Sequence, residues 1–461
     1  MSQKIFNVED LLASISRQPL SLDEAKPHFF LIIPPSSQIP TPGREFFLRA
    51  PMEGPSYIST TLKNAGYDVK IVDYRTGGLP LEEILKDNKA VIGIATFADS
   101  YIFIEGFIRE IRERNKDIPI ILGGSFVSSA PEVLMNNLAA DYAVLGEAEL
   151  TILELMDALF QEKLEFIFDI PGICYRRDGK LVFTKPRTQI ASLDNLPLLD
   201  IGPWPNIKNS LQLKKMGFSS SRGCYNKCSF CFKTIPEVKQ MSADKFGKEI
   251  KYFAGKYGLK FLFLNDLTFV IDTQRTIQLC RELKESGMHW ACSTRVESVD
   301  EELLQIMKDS GCEEIWYGIE SVDQKVLDVN CKRITTENIE HAVRMTNKAG
   351  IKVMANLIIG LLGETQGSLD KMIEFIETQD VVPCSIKYLT PFPGTYVYHY
   401  ARKNGLIKDE IAYFRSLSRR KVNYADDEII NCTDIPIDRL REAFKKIRAV
   451  SYERYGSLDW N

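Results

Sequence analysis

No apolar run in the chain approaches the roughly 18–20 residues that a membrane-spanning helix needs, so no membrane insertion is expected. The opening residues, MSQKIFNVED, have no basic region leading into an apolar stretch. No secretory signal is therefore expected, and the location is expected to be cytoplasmic. Excess basic charge is also missing. The 58 Lys and Arg stand against 62 Asp and Glu, a net charge of −4, which excludes an overall field that would draw in nucleic acid. Short basic clusters such as Lys214-Lys215 and Arg419-Arg420-Lys421 read as solvated surface. There is no long repeat and no low-complexity tract. Cysteine, in contrast, is plentiful, with ten residues. In a chain without an export signal these should be reduced thiols, so a close group of them points to a metal site rather than a disulfide framework.

The length, 461 residues, suggests two or three domains. Residues 1–26 are mixed and polar and read as an N-terminal extension. Five apolar runs of strand length follow, at His28–Pro34, Val69–Asp73, Ala90–Thr96, Ile118–Leu122 and Tyr142–Gly146. Stretches of helical period alternate with them: Pro55–Ala65, Leu81–Asp87, Ile102–Arg114, Ala130–Leu138 and Glu149–Phe160. This alternation predicts a parallel sheet covered on both faces, in a doubly wound, flavodoxin- or Rossmann-like α/β domain over residues 27–163. Residues 164–210 read as a connector, with a hairpin turn at Tyr175-Arg176-Arg177-Asp178-Gly179-Lys180 between Gly172–Cys174 and Leu181–Thr184. A second series of six βα units occupies 211–400, which is too few for an eight-fold barrel and fits a partial (β/α)6 barrel. Gly287, Gly311 and Gly350 each follow a helical run, as C-terminal caps do. Residues 401–461 read as a helical C-terminal cap.

The most informative stretch is Ser221-Arg222-Gly223-Cys224-Tyr225-Asn226-Lys227-Cys228-Ser229-Phe230-Cys231. Three cysteines at C-x3-C-x2-C spacing follow the first strand of the second series, on the face where (β/α) barrels place their chemistry. A structural zinc site would want a fourth ligand close by, yet the next candidates, Cys280 and His289, lie about fifty residues away. A thiol redox pair would leave Cys224 unexplained. A [4Fe–4S] cube takes four ligands, so three cysteines leave one iron open. The remaining cysteines (174, 280, 292, 312, 331, 384 and 432) are expected to be small buried apolar residues.

The cysteine loop resembles that of the radical S-adenosylmethionine (SAM) superfamily, including Phe230 before the third cysteine. The resemblance implies that Cys224, Cys228 and Cys231 hold the cluster and that the open iron chelates SAM. It extends over residues 210–400 through segments at successive strand ends. Asn265 and Asp266 sit where the family binds the SAM amino group, and Arg295 is expected to meet the carboxylate. Glu320 and Ser321 lie in a G-I-E-S segment, Gly360 in the next recurring segment, and Leu389 before a P-x-P-G-T ending. These residues, with Phe230, are the expected SAM contacts.

The N-terminal series resembles the cobalamin (B12)-binding domain that precedes many radical SAM domains. Its echoes are Pro34-Pro35, Gly54-Pro55, Leu122-Gly123-Gly124 and Leu145-Gly146-Glu147. Ligands of such sheets bind beyond the C-terminal strand ends. The resemblance therefore names Pro35, Ser36, Tyr74, Arg75, Thr96, Phe97, Gly123, Gly124, Gly146 and Glu147 as cobalamin contacts. No D-x-H-x-x-G motif occurs, so no histidine is placed to ligate cobalt from below. His28 reads as structural, and Phe126 stands where relatives often carry histidine.

The implied activity is SAM cleavage to a 5′-deoxyadenosyl radical and methylation of an unactivated carbon of a small molecule or natural product, with cobalamin carrying the methyl group. A flavodoxin- or ferredoxin-type protein would be the electron donor. Ring closure, rearrangement or dehydration without methyl transfer is the alternative. A tRNA methylthiolase is a lesser one, since those enzymes carry a second cysteine trio upstream, whereas only Cys174 precedes the loop here. Tyr396, Tyr398, Tyr400 and Phe414 are read as core or as the lining of a substrate pocket. No proton donor or acceptor is singled out.

Overall fold

The structure, a computed structural model, describes residues 28–35, 50–160, 164–205, 207, 214–235, 237–419 and 429–455. Ser36 and the tail beyond 455 lie outside the described residues. Residues 28–35 and 51–207, with the short segment 239–241, form one compact unit; residues 214–238 and 242–455 form the other.

In the first unit the strands are β1 (His28–Ile33), β2 (Asp68–Asp73), β3 (Val91–Ala95), β4 (Ile120–Gly123) and β5 (Tyr142–Val144). They lie in the order β2-β1-β3-β4-β5, all parallel. Helices α1 (Glu53–Asn64), α2 (Leu81–Leu85), α3 (Tyr101–Arg114), α4 (Ser125–Ser129), α5 (Pro131–Asn137) and α6 (Glu149–Phe160) alternate with them. This is the expected doubly wound layout. Strands covered on both faces must be apolar throughout, and every residue of β3 is buried. Gly93 is set by packing, because a Cβ there would lie 2.2 Å from the Phe29 ring. The helix expected over Ala130–Leu138 is α5, and the short α4, which the sequence did not announce, precedes it. The chain breaks at Ala130, and α5 starts on Pro131, whose missing N–H is harmless in a first turn.

The hairpin read within the connector has a larger part. Its strands, β6 (Ile173–Arg177) and β7 (Lys180–Phe183), run antiparallel and extend the sheet beyond β5 to seven strands. The turn chemistry announces a hairpin locally. Its pairing to β5 is long-range and leaves no periodic trace.

The second unit holds six parallel strands in sequential order. They are β8 (Lys215–Phe218), β9 (Phe261–Leu264), β10 (His289–Thr294), β11 (Cys312–Glu320), β12 (Lys352–Ile359) and β13 (Val382–Tyr388). Between and after them run α7 (Ala243–Tyr257), α8 (Thr273–Ser286), α9 (Glu301–Asp309), α10 (Gln324–Val329), α11 (Thr336–Lys348) and α12 (Gln366–Thr378). The open six-stranded parallel sheet is the partial barrel expected from the sequence. At the helix starts, Ser242, Asp272, Asp300 and Thr335 each accept a backbone N–H. Gly287, Gly311 and Gly350 all have positive φ.

After β13 come α13 (Tyr396–Lys403), α14 (Glu410–Arg419) and α15 (Ile437–Tyr455), and α15 packs on β13. Phe444 of α15 stacks on Tyr388 with centroids 4.8 Å apart. Because all six strands are parallel, Phe218, Leu264, Thr294, Glu320, Ile359 and Tyr388 end on one edge. Among the described residues, no helix is long and apolar enough to cross a membrane.

Candidate functional site

The cysteine loop leaves β8 at that edge, and two buried polar residues hold it. The first is Asp266, just past β9. Its carboxylate accepts from Ser220 N–H at 3.1 Å, from Ser220 Oγ at 2.9 Å and from Ser221 Oγ. Arg275 Nη2 adds a bond to Ser220 O at 2.7 Å. The second is Asn330, fully buried after α10. Ser229 donates to it twice, N–H to Asn330 O at 3.0 Å and Oγ to Oδ1 at 2.7 Å. Asn330 Nδ2 in turn donates to Val326 O at 2.8 Å and to Leu362 O at 2.9 Å. Ser229 O takes Val397 N–H at 3.1 Å. The loop is thus tied to the ends of several strands. Gly223, with φ +84°, has no room for a side chain, since a Cβ would fall 1.9 Å from Glu237 O.

Cys224, Cys228 and Cys231 are all free thiols. Burial pushes the Cys231 thiol up to about 11, and the nearby Cys228 and Cys224 act in the same direction. Burial pushes the Cys228 thiol up, and the cations Lys332 and Arg295 pull it back. Among the described residues, no three Cys, His, Asp or Glu side chains close on a single ion. The donor set itself fits a cluster, since three thiolates on one short loop can each take a different iron of a four-iron cube and leave the fourth open.

The other expected SAM residues stand as follows. Phe230 is half-buried in the loop. Asn265 is exposed, and Gly217 makes its room: a Cβ there would lie 2.2 Å from Asn265 Nδ2. Asp266 is fully enclosed and serves the loop. Arg295 is also committed. Its guanidinium bonds Glu297, Lys332 O at 2.9 Å and Arg333 O at 3.1 Å. Glu320 sits at a register shift at the end of β11 with φ +65° and pairs with Lys332 at 3.1 Å. Ser321 is buried and its Oγ accepts Asp323 N–H at 3.3 Å. Gly360, with φ +88°, donates its N–H to Glu364. Leu389 is buried, with its N–H on Ile359 O at 2.8 Å.

Asn330 and Lys332 escaped the sequence reading, and Ser229 and Glu364 lie inside segments it marked but were given no role. Glu364 had the clearest signal, since it follows the Gly360 turn directly. Asn330 and Lys332 lie in a turn that no periodicity marks. Cys331, between them, is exposed rather than buried as expected; the other six scattered cysteines are buried. Tyr398 bonds Glu410 at 2.5 Å and packs on Tyr413, and Phe414 is fully buried, so both belong to the core. Tyr396 is exposed.

In the first unit, Gly123 and Gly146 end their strands facing open space, with nothing within 4 Å of a built Cβ. The backbone there can meet a large flat ligand, which fits cobalamin. Thr96 is buried and braces this loop: Oγ1 donates to Gly123 O at 2.8 Å and accepts Val127 N–H at 3.0 Å. Gly124, with φ +109°, lies against Thr96 O. Phe97 N–H bonds Ser100 Oγ at 3.1 Å, and Pro35 is half-buried. Arg75 is less available. It clamps Asp73 through two bonds of 2.9 Å and lies 5.1 Å from the Trp204 ring. Tyr74 packs on Phe103 and Phe107 and bonds Leu79 O at 2.7 Å. Glu147 pairs with Lys239, both buried, and accepts Ile190 N–H at 3.2 Å. Phe126 is core, edge-on to Tyr101, and His28 is held by Asp68 and Asp87.

Comparison with known proteins agrees with this geometry. Residues 218–376 match the model of the radical SAM superfamily and residues 50–156 that of the B12 binding domain. The chain thus carries a B12-binding domain and, after it, a radical SAM domain, and it is an enzyme. It is 28% identical over 368 residues to an uncharacterized methyltransferase of Pyrococcus horikoshii, covering 77% of this chain and 80% of the relative. It is also 28% identical over 356 residues to the anaerobic magnesium-protoporphyrin IX monomethyl ester cyclase of Rubrivivax gelatinosus, covering 73% of this chain but 64% of that longer relative. The radical SAM methyltransferase TsrM of Kitasatospora setae, solved with cobalamin and a [4Fe–4S] cluster, shares the fold with a TM-score of 0.66 at 16% identity, over 83% of this chain and 76% of that one.

Proposed function

We propose that this protein is a cobalamin-dependent radical SAM methyltransferase that methylates an unactivated carbon of a small molecule. The observation that carries the reading is the loop that bears Cys224, Cys228 and Cys231 at the strand ends, in a chain that also carries a B12-binding domain. When bound, the cluster and SAM supply an organic radical and cobalamin carries the methyl group. The chain's own residues position these groups. Asp266 and Asn330 fix the cysteine loop, Asn265, Glu320, Ser321, Gly360 and Leu389 line the strand ends where SAM is expected, and the glycines at 123, 124 and 146 admit the corrin face. A small flavodoxin- or ferredoxin-type protein would deliver the electron.

The test is anaerobic reconstitution with iron, sulfide and cobalamin, then incubation with SAM and a reductant. Bound cobalamin, a four-iron spectrum and formation of both 5′-deoxyadenosine and S-adenosylhomocysteine are expected. Absence of cobalamin binding would overturn the methyltransferase reading. The likeness to a cyclase favours one second reading, radical chemistry without methyl transfer. 5′-Deoxyadenosine without S-adenosylhomocysteine would decide for it.

A further inference from the structure

The turn after α10 brings an uncommitted kind of chemistry to the cysteine loop: a buried ammonium. Lys332 has a side chain only 9% exposed, which is unusual for lysine and requires a purpose or a partner. Three features build its position. Asn330, two residues before it, is bonded twice to Ser229 inside the loop. Arg295 grips the carbonyls of Lys332 and Arg333 at 2.9 and 3.1 Å. Gly318 clears the space, since a Cβ there would lie 2.8 Å from both Lys332 Nζ and Glu320 Oε1. The ammonium pairs with Glu320 at 3.1 Å, and its charge acts on both the Cys228 and Cys231 thiols. Glu320 acts on Cys228 with the opposite sign.

We propose that the Lys332–Glu320 pair sets the reduction potential of the iron–sulfur cluster, Lys332 raising it and Glu320 lowering it. This rests on the cluster reading above. Reduction adds a negative charge to the cluster, and net charge and burial are among the levers that fix such potentials. A buried cation held by a turn that is bonded to the cysteine loop, and whose charge reaches two of its thiols, favours the reduced form. With an effective dielectric of about 20, one unit charge several ångströms away shifts the equilibrium by about tenfold or more.

The experiment is a redox titration of the reconstituted full-length protein without SAM, followed by the electron paramagnetic resonance of the reduced cluster. At a fixed potential, Lys332→Met is expected to lower the reduced-to-oxidised ratio about tenfold, equivalent to 59 mV for one electron. Lys332→Arg should restore it, and Glu320→Gln should move it the other way. An unchanged ratio in Lys332→Met at full iron content would overturn the proposal. If Lys332→Met loses iron, Glu320→Gln decides: a ratio that stays or falls overturns the proposal, and a rise supports it. Wild-type protein that takes up no four-iron cluster would overturn the cluster reading and, with it, this inference.

Discussion

Asn330 and Ser229 are joined at two points, with Ser229 N–H on Asn330 O at 3.0 Å and Ser229 Oγ on Asn330 Oδ1 at 2.7 Å. The Asn330 amide also serves Val326 O and Leu362 O, so one side chain links the cysteine loop to the loop after β12. Asn330→Ala leaves Leu362 O and Ser229 Oγ without their buried partner. Such orphaned groups cost about 1–3 kcal/mol each. The expected outcome is a clear fall in the urea midpoint and weaker iron retention on gel filtration. Ser229→Ala, which removes one neutral bond, should lose about 1 kcal/mol. Wild-type behaviour of Asn330→Ala in both measurements would contradict this role.

Asp266 holds the other end of the loop. In Asp266→Asn the shape is kept, but one oxygen that accepts from Ser220 N–H or from the serine hydroxyls becomes an amine. A donor then faces a donor in a buried site. A loss of about 2–3 kcal/mol is expected, since bonds to a charged acceptor are worth more than neutral ones. Asp266→Ala should lose more and take up little iron. The check is urea unfolding together with iron content after reconstitution.

Gly223 separates two reasons for a glycine. Its φ of +84° disfavours a side chain, and Glu237 O would lie 1.9 Å from a Cβ. Gly258, which caps α7 with φ +65°, has nothing within 4 Å. Gly258→Ala therefore carries only the conformational cost, about 1–2 kcal/mol, and should keep its iron. Gly223→Ala must also move the backbone beside Cys224, so most cluster iron should be lost. Equal iron content in the two variants would show that the Glu237 contact relaxes freely.

The sequence made the fold legible wherever period and punctuation decide it. Alternating runs located both parallel sheets, and Gly287, Gly311 and Gly350 marked helix ends. The candidate site was legible to the extent that strand ends are. Asn265, Glu320, Gly360 and Leu389 all fall at one edge because the six strands are parallel and sequential. What a side chain does once there was less visible. Arg295 looks from the sequence like a free cation, yet three partners occupy it. Lys332 looks like a surface lysine, yet a turn with positive φ at Cys331 and Arg333 folds it inward. Such turns depend on tertiary contacts that no local pattern encodes. The β6–β7 hairpin gives the same lesson, since its turn is local while its pairing to β5 is not.

Glu364 gives the pH dependence its sign. The carboxyl is 4% exposed, and burial pushes it up to about 7 from an ordinary 4.5, against the pull of the Gly360 and Leu361 N–H groups. Below the ordinary value both folded and unfolded chains carry the proton, so this group adds no slope. Between about 4.5 and 7 the unfolded chain has released the proton while the folded chain still holds it. Stability therefore falls as pH rises through that window and levels off above it. The full rise of about 2.5 pH units corresponds to roughly 3 kcal/mol, at 1.36 kcal/mol per unit. Glu364→Gln keeps an oxygen for Gly360 N–H and cannot ionise, so its stability should lack this slope. Anaerobic urea unfolding at pH 5, 6, 7 and 8 should show wild type losing ground to Glu364→Gln as pH rises, with the difference constant beyond the window. Curves that stay parallel across the window would mean that Glu364 titrates like an exposed carboxylate, and the carboxyl would then have to be solvated in the native chain.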